Sequence, residues 1–450
     1  METITSPLFS FDNDELSRLQ LGLPADLQLL RLRLRFGLPV HVRIGQRFRV
    51  VVDVVDEMGQ PMPRSVSLPN GIDLTLANHS FSTTDNEKDN SEDIEKIVLN
   101  IEEVLTPKNV RLPQNKWVFW ASLRYSGPSN GLLSISSGVH VNLRVQVKQI
   151  PELSVDSNTD NSPRQLLRTF CVGSAWVSER VLILPLQVSL QVGYESESVE
   201  ENITSTACQR LFRTIPWINS TRDKVIRERG VLVVDEHYGD AMGAHVWDAS
   251  ILLSWALLRA GIRALSPVCN NSTNKVGTTQ AILELGSGCG LFAAVLATLQ
   301  PPLPQVKTIF TEKVENTDRL QKNLDQNGSQ PSASVIALKW GKALPKALQE
   351  ANVCVVFAAD VLYNWAAHED FLATLDYLVQ SQGSNTKVHV FLAHKRRGQA
   401  SVEKLDALAS NTFDRAARCS GGKTNCRWIR WHIKKIASLA RVDLFELAHE

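Results

Sequence analysis

The chain has 450 residues, 43% of them hydrophobic, and 48 Lys and Arg stand against 47 Asp and Glu for a net charge of +1. That length divides into two or three domains with enough apolar content for a core in each, and the charge balance exerts no global pull toward nucleic acid or membrane. Seven cysteines, an odd number without a C-x-x-C pair, argue against a disulfide framework or structural zinc and for reduced thiols; Cys419 and Cys426 are too far apart for a zinc knuckle, and no metal is expected.

The first residues, Met-Glu-Thr-Ile-Thr, lack the basic and apolar regions of a secretory signal, and later apolar runs are too short or too charged to cross a bilayer. A cytoplasmic or nuclear location follows, with no membrane contact, and Asn202-Ile203-Thr204 is then a chance glycosylation match. Apolar and polar residues alternate strongly in Leu30–Phe36, Val40–Ile44, Phe48–Val54, Ile72–Leu76, Trp117–Tyr125, Val139–Val147 and Val181–Val192. Many strands without regular helices predict an all-β, sandwich-like domain over residues 1–150. A mostly acidic insertion, Asp85–Glu95, falls in a loop at 83–95, and residues 151–165 have the Ser, Asp and Asn content of a linker. Residues 166–204 read as connecting strands; those at 181–192 either close the sandwich or lead into the next domain as a hairpin. No period of 20 to 50 residues repeats, which argues against a solenoid.

From residue 205 the texture changes to alternating strands and helices. A very apolar helix follows Val246-Trp247-Asp248-Ala249-Ser250, and then Ala281-Ile282-Leu283-Glu284-Leu285-Gly286-Ser287-Gly288-Cys289-Gly290 runs from a strand through three alternate glycines into the helical segment Leu291–Leu299. Such a loop lets a ligand lie against bare main chain at a helix N-terminus. An acidic residue before G-x-G-x-G, in place of the G-x-G-x-x-G of dinucleotide folds, suits a ligand with a cationic amino group and no pyrophosphate, and S-adenosylmethionine is one. A glycine-rich turn without a ligand is the plain alternative. Val306–Thr311 is a second strand ending at Glu312, placed where an acidic side chain takes ribose hydroxyls. The periodic segment Asn316–Asn327 leads to a third strand, Val335–Leu338, which ends in Lys339-Trp340-Gly341. The fourth, Val353–Ala358, is apolar throughout and ends in Ala359-Asp360-Val361-Leu362-Tyr363. After the amphipathic run His368–Val379 come a fifth strand, Lys387–Ala393, and two late alternating strands, Trp428–Lys434 and Val442–Ala448, which fit an antiparallel edge on an otherwise parallel sheet.

The order and spacing of Val246–Ser250, Glu284–Gly290, Lys339-Trp340 and Phe357-Ala358-Ala359-Asp360-Val361-Leu362-Tyr363 resemble the family 16 seven-strand, class I protein lysine methyltransferases, in the branch acting on non-histone proteins. The resemblance covers about residues 205–450. It implies an α/β, Rossmann-like methyltransferase domain that binds S-adenosyl-L-methionine, releases S-adenosyl-L-homocysteine, and methylates lysine in a protein substrate. Two residues depart from the pattern, Glu312 standing where Asp is more frequent and Lys339 where an acidic residue commonly precedes the tryptophan. The expected cofactor-binding residues are Trp247, Glu284, Gly286, Ser287, Gly288, Gly290, Glu312, Trp340 and Ala359. Asp360 and Tyr363 are the expected catalytic pair, supplying an oxygen acceptor and an aromatic wall for a neutral lysine amine; the plain alternative is a helix-capping Asp and a buried Tyr.

Trp255, Trp365, Trp428 and Trp431 are assigned to packing, Cys289 to a small spacer, and His389 to the core. Basic residues outnumber acidic ones from Lys395 to Arg441, either protecting a sheet edge or forming a wall for an acidic or nucleic-acid-bound protein substrate. Neither aromatic interleaving there nor a recognised RNA motif points to direct nucleic-acid binding, and a monomer is expected. Methylation of a nucleic acid or small molecule, and a non-catalytic interaction role, stay open beside the protein-lysine reading; the absence of Asn-Pro-Pro-Tyr argues against the former, and the Glu312 and Lys339 departures motivate the latter.

Overall fold

The computed structural model describes residues 27–36, 38, 41–63, 66, 68, 71–77, 96–106, 115–127, 139–148, 175–178, 181–193, 211–218, 229–236, 242–260, 280–298, 306–328, 333–382, 387–397, 401–411, 429–439 and 441–449. The acidic segment 83–95, the segment 151–165, Trp428, Cys419 and Cys426 lie outside them. Contacts divide the chain into a unit built on Leu27–Pro216 and another built on Ala241–Glu450.

The first unit holds β1 (Gln28–Leu34), β2 (His41–Arg43), β3 (Arg47–Val55), β4 (Ile72–Ala77), β5 (Ile97–Leu105), β6 (Lys116–Tyr125), β7 (Val139–Val147), β8 (Ala175–Ser178), β9 (Val181–Leu184) and β10 (Leu186–Gly193), and β11 (Leu211–Ile218) and β12 (Arg229–Glu236) continue its second sheet. One sheet has the order β5-β6-β3-β1-β9-β8; the other has β12-β11-β10-β7-β4, with β2 beside β10. Every second residue of a strand faces the same way, and the inward set from both sheets, including Leu32, Val50, Phe119, Leu143 and Val188, forms one hydrophobic core. The pairing extends past the boundary expected at residue 150. β9 runs parallel to β1, Leu29 against Leu182, and β10 lies antiparallel to β7 over Leu186–Val192. Residues 181–192 therefore close the sheets and do not form a connecting hairpin, and Pro185, which has no N–H for a ladder, marks where the chain passes from one sheet to the other.

The second unit alternates as its sequence predicts. It comprises α1 (Asp248–Ala260), β13 (Gln280–Leu285), α2 (Leu291–Thr298), β14 (Val306–Glu312), α3 (Thr317–Gln326), β15 (Ala333–Ala337), α4 (Lys346–Gln349), β16 (Asn352–Ala359), α5 (His368–Gln382), β17 (His389–Lys395), α6 (Ser401–Ser410), β18 (Trp431–Leu439) and β19 (Val442–His449). Its seven-strand sheet has the order β15-β14-β13-β16-β17-β19-β18, parallel except for β19, which is antiparallel to both neighbours. The central strands are apolar because both faces are covered: Val353 to Ala358 are all buried. α2, Leu-Phe-Ala-Ala-Val-Leu-Ala-Thr, is buried from Leu291 to Ala297 and packs against α1 and β14. β13 lies between β14 and β16, so successive connections leave it in opposite directions. That reversal opens a crevice at the carboxyl ends of these strands, where such sheets take ligands.

Trp255 and Trp431 are core residues, and Trp431 donates its indole N–H to Asp376 at 2.8 Å. Trp365 is not: it is 63% exposed, in a short 3-10 turn, with the Lys404 ammonium 3.9 Å from its ring centroid. Cys289 is buried, and His389 lies within 3.5 Å of Glu446.

Candidate functional site

The loop after β13 is built by glycine. Gly286, Gly288 and Gly290 have φ of 71°, 57° and 86°, values that side chains disfavour. The Gly286 and Ser287 amides donate to the Thr311 carbonyl at 3.0 and 2.9 Å, fastening the loop to the end of β14, while the Thr311 hydroxyl donates to the Glu284 carbonyl at 2.7 Å. A Cβ on Gly286 would stand 3.1 Å from Val361 and 3.3 Å from the Trp340 ring; one on Gly288 would stand 3.4 Å from the Gly243 carbonyl. The glycines thus keep a narrow cradle open between the ends of β13, β14 and β16.

Two carboxylates border it. Glu284 is 1% exposed, and its Oε2 has no hydrogen-bond partner among the described residues. Burial pushes its pKa up to about 8; the neighbouring Ser287 hydroxyl, itself without a hydrogen-bond partner among the described residues, acts in the opposite sense, and the nearby Glu312 charge adds to the rise. A buried, unsatisfied carboxylate without a cation suits a cationic guest. Glu312 is organised instead by donors, accepting from the Gly288 amide at 2.8 Å, the Lys313 amide at 2.9 Å and the Asn316 side chain at 3.4 Å. Each of its oxygens keeps acceptor capacity for a hydroxyl. Trp340 stands edge-on to Phe371, centroids 5.4 Å apart, which fixes its ring against Gly286.

The ends of β16 and β17 have a different character. Asp360, buried and at φ 58°, receives one Arg397 nitrogen at 2.8 Å on Oδ1 and the other on Oδ2, and the Lys395 amide is 3.4 Å from Oδ1. His394 Nδ1 lies 3.6 Å from the same oxygen, while burial lowers the His394 pKa against the pull of Asp360. Asp248, at the start of α1, pairs with Lys395. The Arg397 guanidinium also lies 5.3 Å from the ring centroid of Trp247, whose indole N–H donates to the Met242 carbonyl at 2.9 Å. Asp360 is therefore not an open acceptor; its carboxylate is clamped. Tyr363 is 45% exposed beside it, contrary to a buried tyrosine, and Ala359 lies in the β16–β17 ladder opposite Ala393.

The structure brings Glu284, the glycines, Glu312 and Trp340 into one cradle and ties Trp247 to Asp360 through Arg397. Arg397, Lys395, His394 and Asp248 are the participants that sequence reasoning missed. The signal was present in Lys395-Arg396-Arg397 at the carboxyl end of a buried strand, a place where cations need partners.

The lysine methyltransferase family model matches residues 226–411. A UPF0665 family protein of Schizosaccharomyces pombe is 27% identical over 164 residues, which cover 36% of this chain and 45% of that protein, so the match spans less than half of the relative. Similar crystal structures include TnmH (14% identity, TM-score 0.26, 45% of this chain and 56% of that one). The mitomycin 7-O-methyltransferase MmcR matches at 13% identity and TM-score 0.27 over 44% of this chain and 57% of its own. P. horikoshii TYW2 in complex with MeSAdo matches at 10% identity and TM-score 0.27 over 52% and 71%. TM-scores this low decide nothing further about the molecule. The buried carboxylate and the glycine cradle fit a cationic amino acid conjugate, and residues 226–411 are similar to the lysine methyltransferase family.

Proposed function

We propose that the protein is a protein-lysine N-methyltransferase that acts on a non-histone protein. The observation that carries the reading is the family match over residues 226–411 together with a cradle whose buried acid, Glu284, has no cationic partner among the described residues. S-adenosylmethionine, when bound, supplies an electrophilic methyl group on a sulfonium, and an amine receives it by in-line displacement. The chain's own tasks are to hold, orient and dry. Glu284, with Ser287 beside it, takes the amino acid end of the cofactor; Gly286, Gly288 and Gly290 offer main chain to its body; Glu312 accepts from ribose hydroxyls; Trp340 walls the adenine side and Trp247 the methionine side. Tyr363 offers an exposed ring and hydroxyl to an incoming lysine, which reacts as the neutral amine. Asp360 and Arg397 act as one unit that fixes the turn carrying Tyr363. The strands of the first unit form an accessory, sandwich-like domain that selects the substrate.

Incubation of the full chain with methyl-tritiated cofactor and a cell lysate tests this. Label that survives nuclease, is lost to protease and appears as methyl-lysine after hydrolysis is expected. Label in nucleic acid or in small molecules overturns the reading. Cofactor binding without transfer to any acceptor would favour the second reading, a cofactor-binding interaction protein, which the clamped state of Asp360 supports.

A further inference from the structure

The outward face of the sheet β5-β6-β3-β1-β9-β8 is rich in arginine. β1 and the residues after it read Leu30-Arg31-Leu32-Arg33-Leu34-Arg35-Phe36, so the leucines enter the core and the arginines face out. β3 opens Arg47-Phe48-Arg49 with Phe48 in the core. The pairs Arg47 with Ser122 and Arg49 with Trp120 put Trp120, and two residues beyond Ser122 also Arg124, on the same outward face. Toward the other end of these strands the face is covered, since Arg31 and Asp53 are buried. The open part presents Arg35, Arg47, Arg49, Arg124, Phe36 and Trp120.

Guanidinium groups and rings interleave across it. Arg47 lies 4.4 Å from the Trp120 ring centroid, and Arg49 lies 5.8 Å from the centroids of both Trp120 and Phe36. Phe36 is 55% exposed, and Arg35 lies 6.0 Å from its centroid. Carboxylates answer part of the charge: Asp53 is 3.6 Å from Arg35, and Glu102 and Glu103 are 3.0 and 3.2 Å from Arg47. Arg49 and Arg124 make no ion pair among the described residues. β1, β3 and β6 are interior strands with neighbours on both sides, so protection of a sheet edge does not account for these charges.

A guest on this face meets forked donors and π surfaces but no free backbone ladder. A polypeptide lying there would gain no strand pairing, which requires an edge. A single strand of nucleic acid needs none: its phosphates suit guanidinium forks, and its bases have flat faces for Phe36 and the stacked arginines. We propose that this face of the first unit binds single-stranded nucleic acid. The net charge of +1 conceals the feature because it averages a cationic sheet face with acidic segments elsewhere.

Fluorescence anisotropy of a labelled oligouridine of about 15 nucleotides, near the upper site size of single-strand binders, titrated with the full-length protein at several salt concentrations, tests it. Three or four phosphate contacts should give log K falling against log salt with a slope of about −2 to −3. Arg49→Glu and Arg124→Glu should each weaken binding by about tenfold or more and reduce the slope by about 0.7, the contribution of one phosphate in a single strand. Phe36→Ala should weaken it by about tenfold with the slope kept, as expected for a lost stack. Arg124 projects from the exposed end of β6, so its variant keeps the test valid if Arg49→Glu fails to fold. The double variant Arg430→Glu, Lys434→Glu, in the other basic region, should bind like the parent. Absence of salt-dependent binding, equal binding by the folded Arg49 and Arg124 variants, or displacement by polyglutamate as effective as by unlabelled oligouridine would overturn the proposal, the last assigning the face to acidic protein segments.

Discussion

The ends of β13 and β14 and the ends of β16 and β17 are two rims of one crevice, and they treat acid side chains in opposite ways. At the first rim Glu284 is buried without a cation among the described residues, and Glu312 is held by amide N–H groups. At the second, Asp360 has Arg397 and Asp248 has Lys395. Both rims hold buried acids, so burial alone does not mark a ligand site. The difference lies in whether the chain supplies the counter-charge. Where it does, the acid is committed to architecture; where it does not, the rim is incomplete without a cationic guest.

The largest test of this contrast is to fill the first rim. Gly288→Val places a branched side chain at φ 57° against the Gly243 carbonyl and should abolish cofactor binding in calorimetry while the melting transition survives. Undiminished affinity would remove the cradle from the site.

At the second rim, Asp360→Ala removes the carboxylate that accepts from both terminal nitrogens of Arg397, a side chain only 23% exposed. Breaking such a pair costs about 3–5 kcal/mol of stability, and Arg397→Ala added to it should restore part of the loss in denaturant unfolding. Turnover should fall strongly in Asp360→Ala with cofactor affinity nearly kept. Additive effects of the two substitutions would mean that the ion pair is not a unit.

Glu284 gives the first rim a pH signature. Its folded pKa of about 8 lies above its ordinary 4.5, so between these values the unfolded chain releases a proton that the folded chain keeps. The contribution is fully present below pH 4.5 and is lost as pH rises through about 8, a change of a few kcal/mol in the cofactor-free protein. Glu284→Gln should flatten that slope in melts across pH. Cofactor binding at neutral pH should expel the proton, seen as a dependence of binding heat on buffer ionisation enthalpy; no such dependence would mean that the acid is already ionised. Glu312→Ala should have the smallest effect, weakening cofactor binding by about 1.5–3 kcal/mol through lost charge-assisted contacts, measured by calorimetry.

The second unit was legible because its signals are local. Glycines at alternate positions force a loop, a buried strand reads as an apolar run, and Val353–Ala358 and Val442–Ala448 lie within β16 and β19. β5 was missed because Ile97–Leu105, Ile-Val-Leu-Asn-Ile-Glu-Glu-Val-Leu, carries a bulge that disturbs its alternation, and only Ile97 among its residues is buried. Residues 181–192 were ambiguous for another reason. A strand's sequence states that it pairs, and nothing in Val-Leu-Ile-Leu names β1 as the partner. The same limit hid the ion pairs: Asp360 was visible as a rim residue, but its clamp comes from Arg397 on the far side of another strand and helix. A chain beginning near residue 166 would strand β9 and β10 without β1 and β7, exposing Val181–Val192, so that is not a domain boundary.

The parallel pairing of Gln28–Arg31 with Val181–Leu184 also has a consequence for synthesis. At about 5–20 residues per second, the ribosome finishes β1 many seconds before β9 exists. Throughout that interval β1 can pair with β3, its antiparallel neighbour, while its other edge waits. Leu29, Leu30 and Leu32 sit on that waiting strand, so the nascent chain carries an unpaired apolar edge that a holding chaperone would shield. Substitutions that slow elongation between residues 60 and 180 should lower the yield of this protein without altering the stability of the molecules that reach the native state.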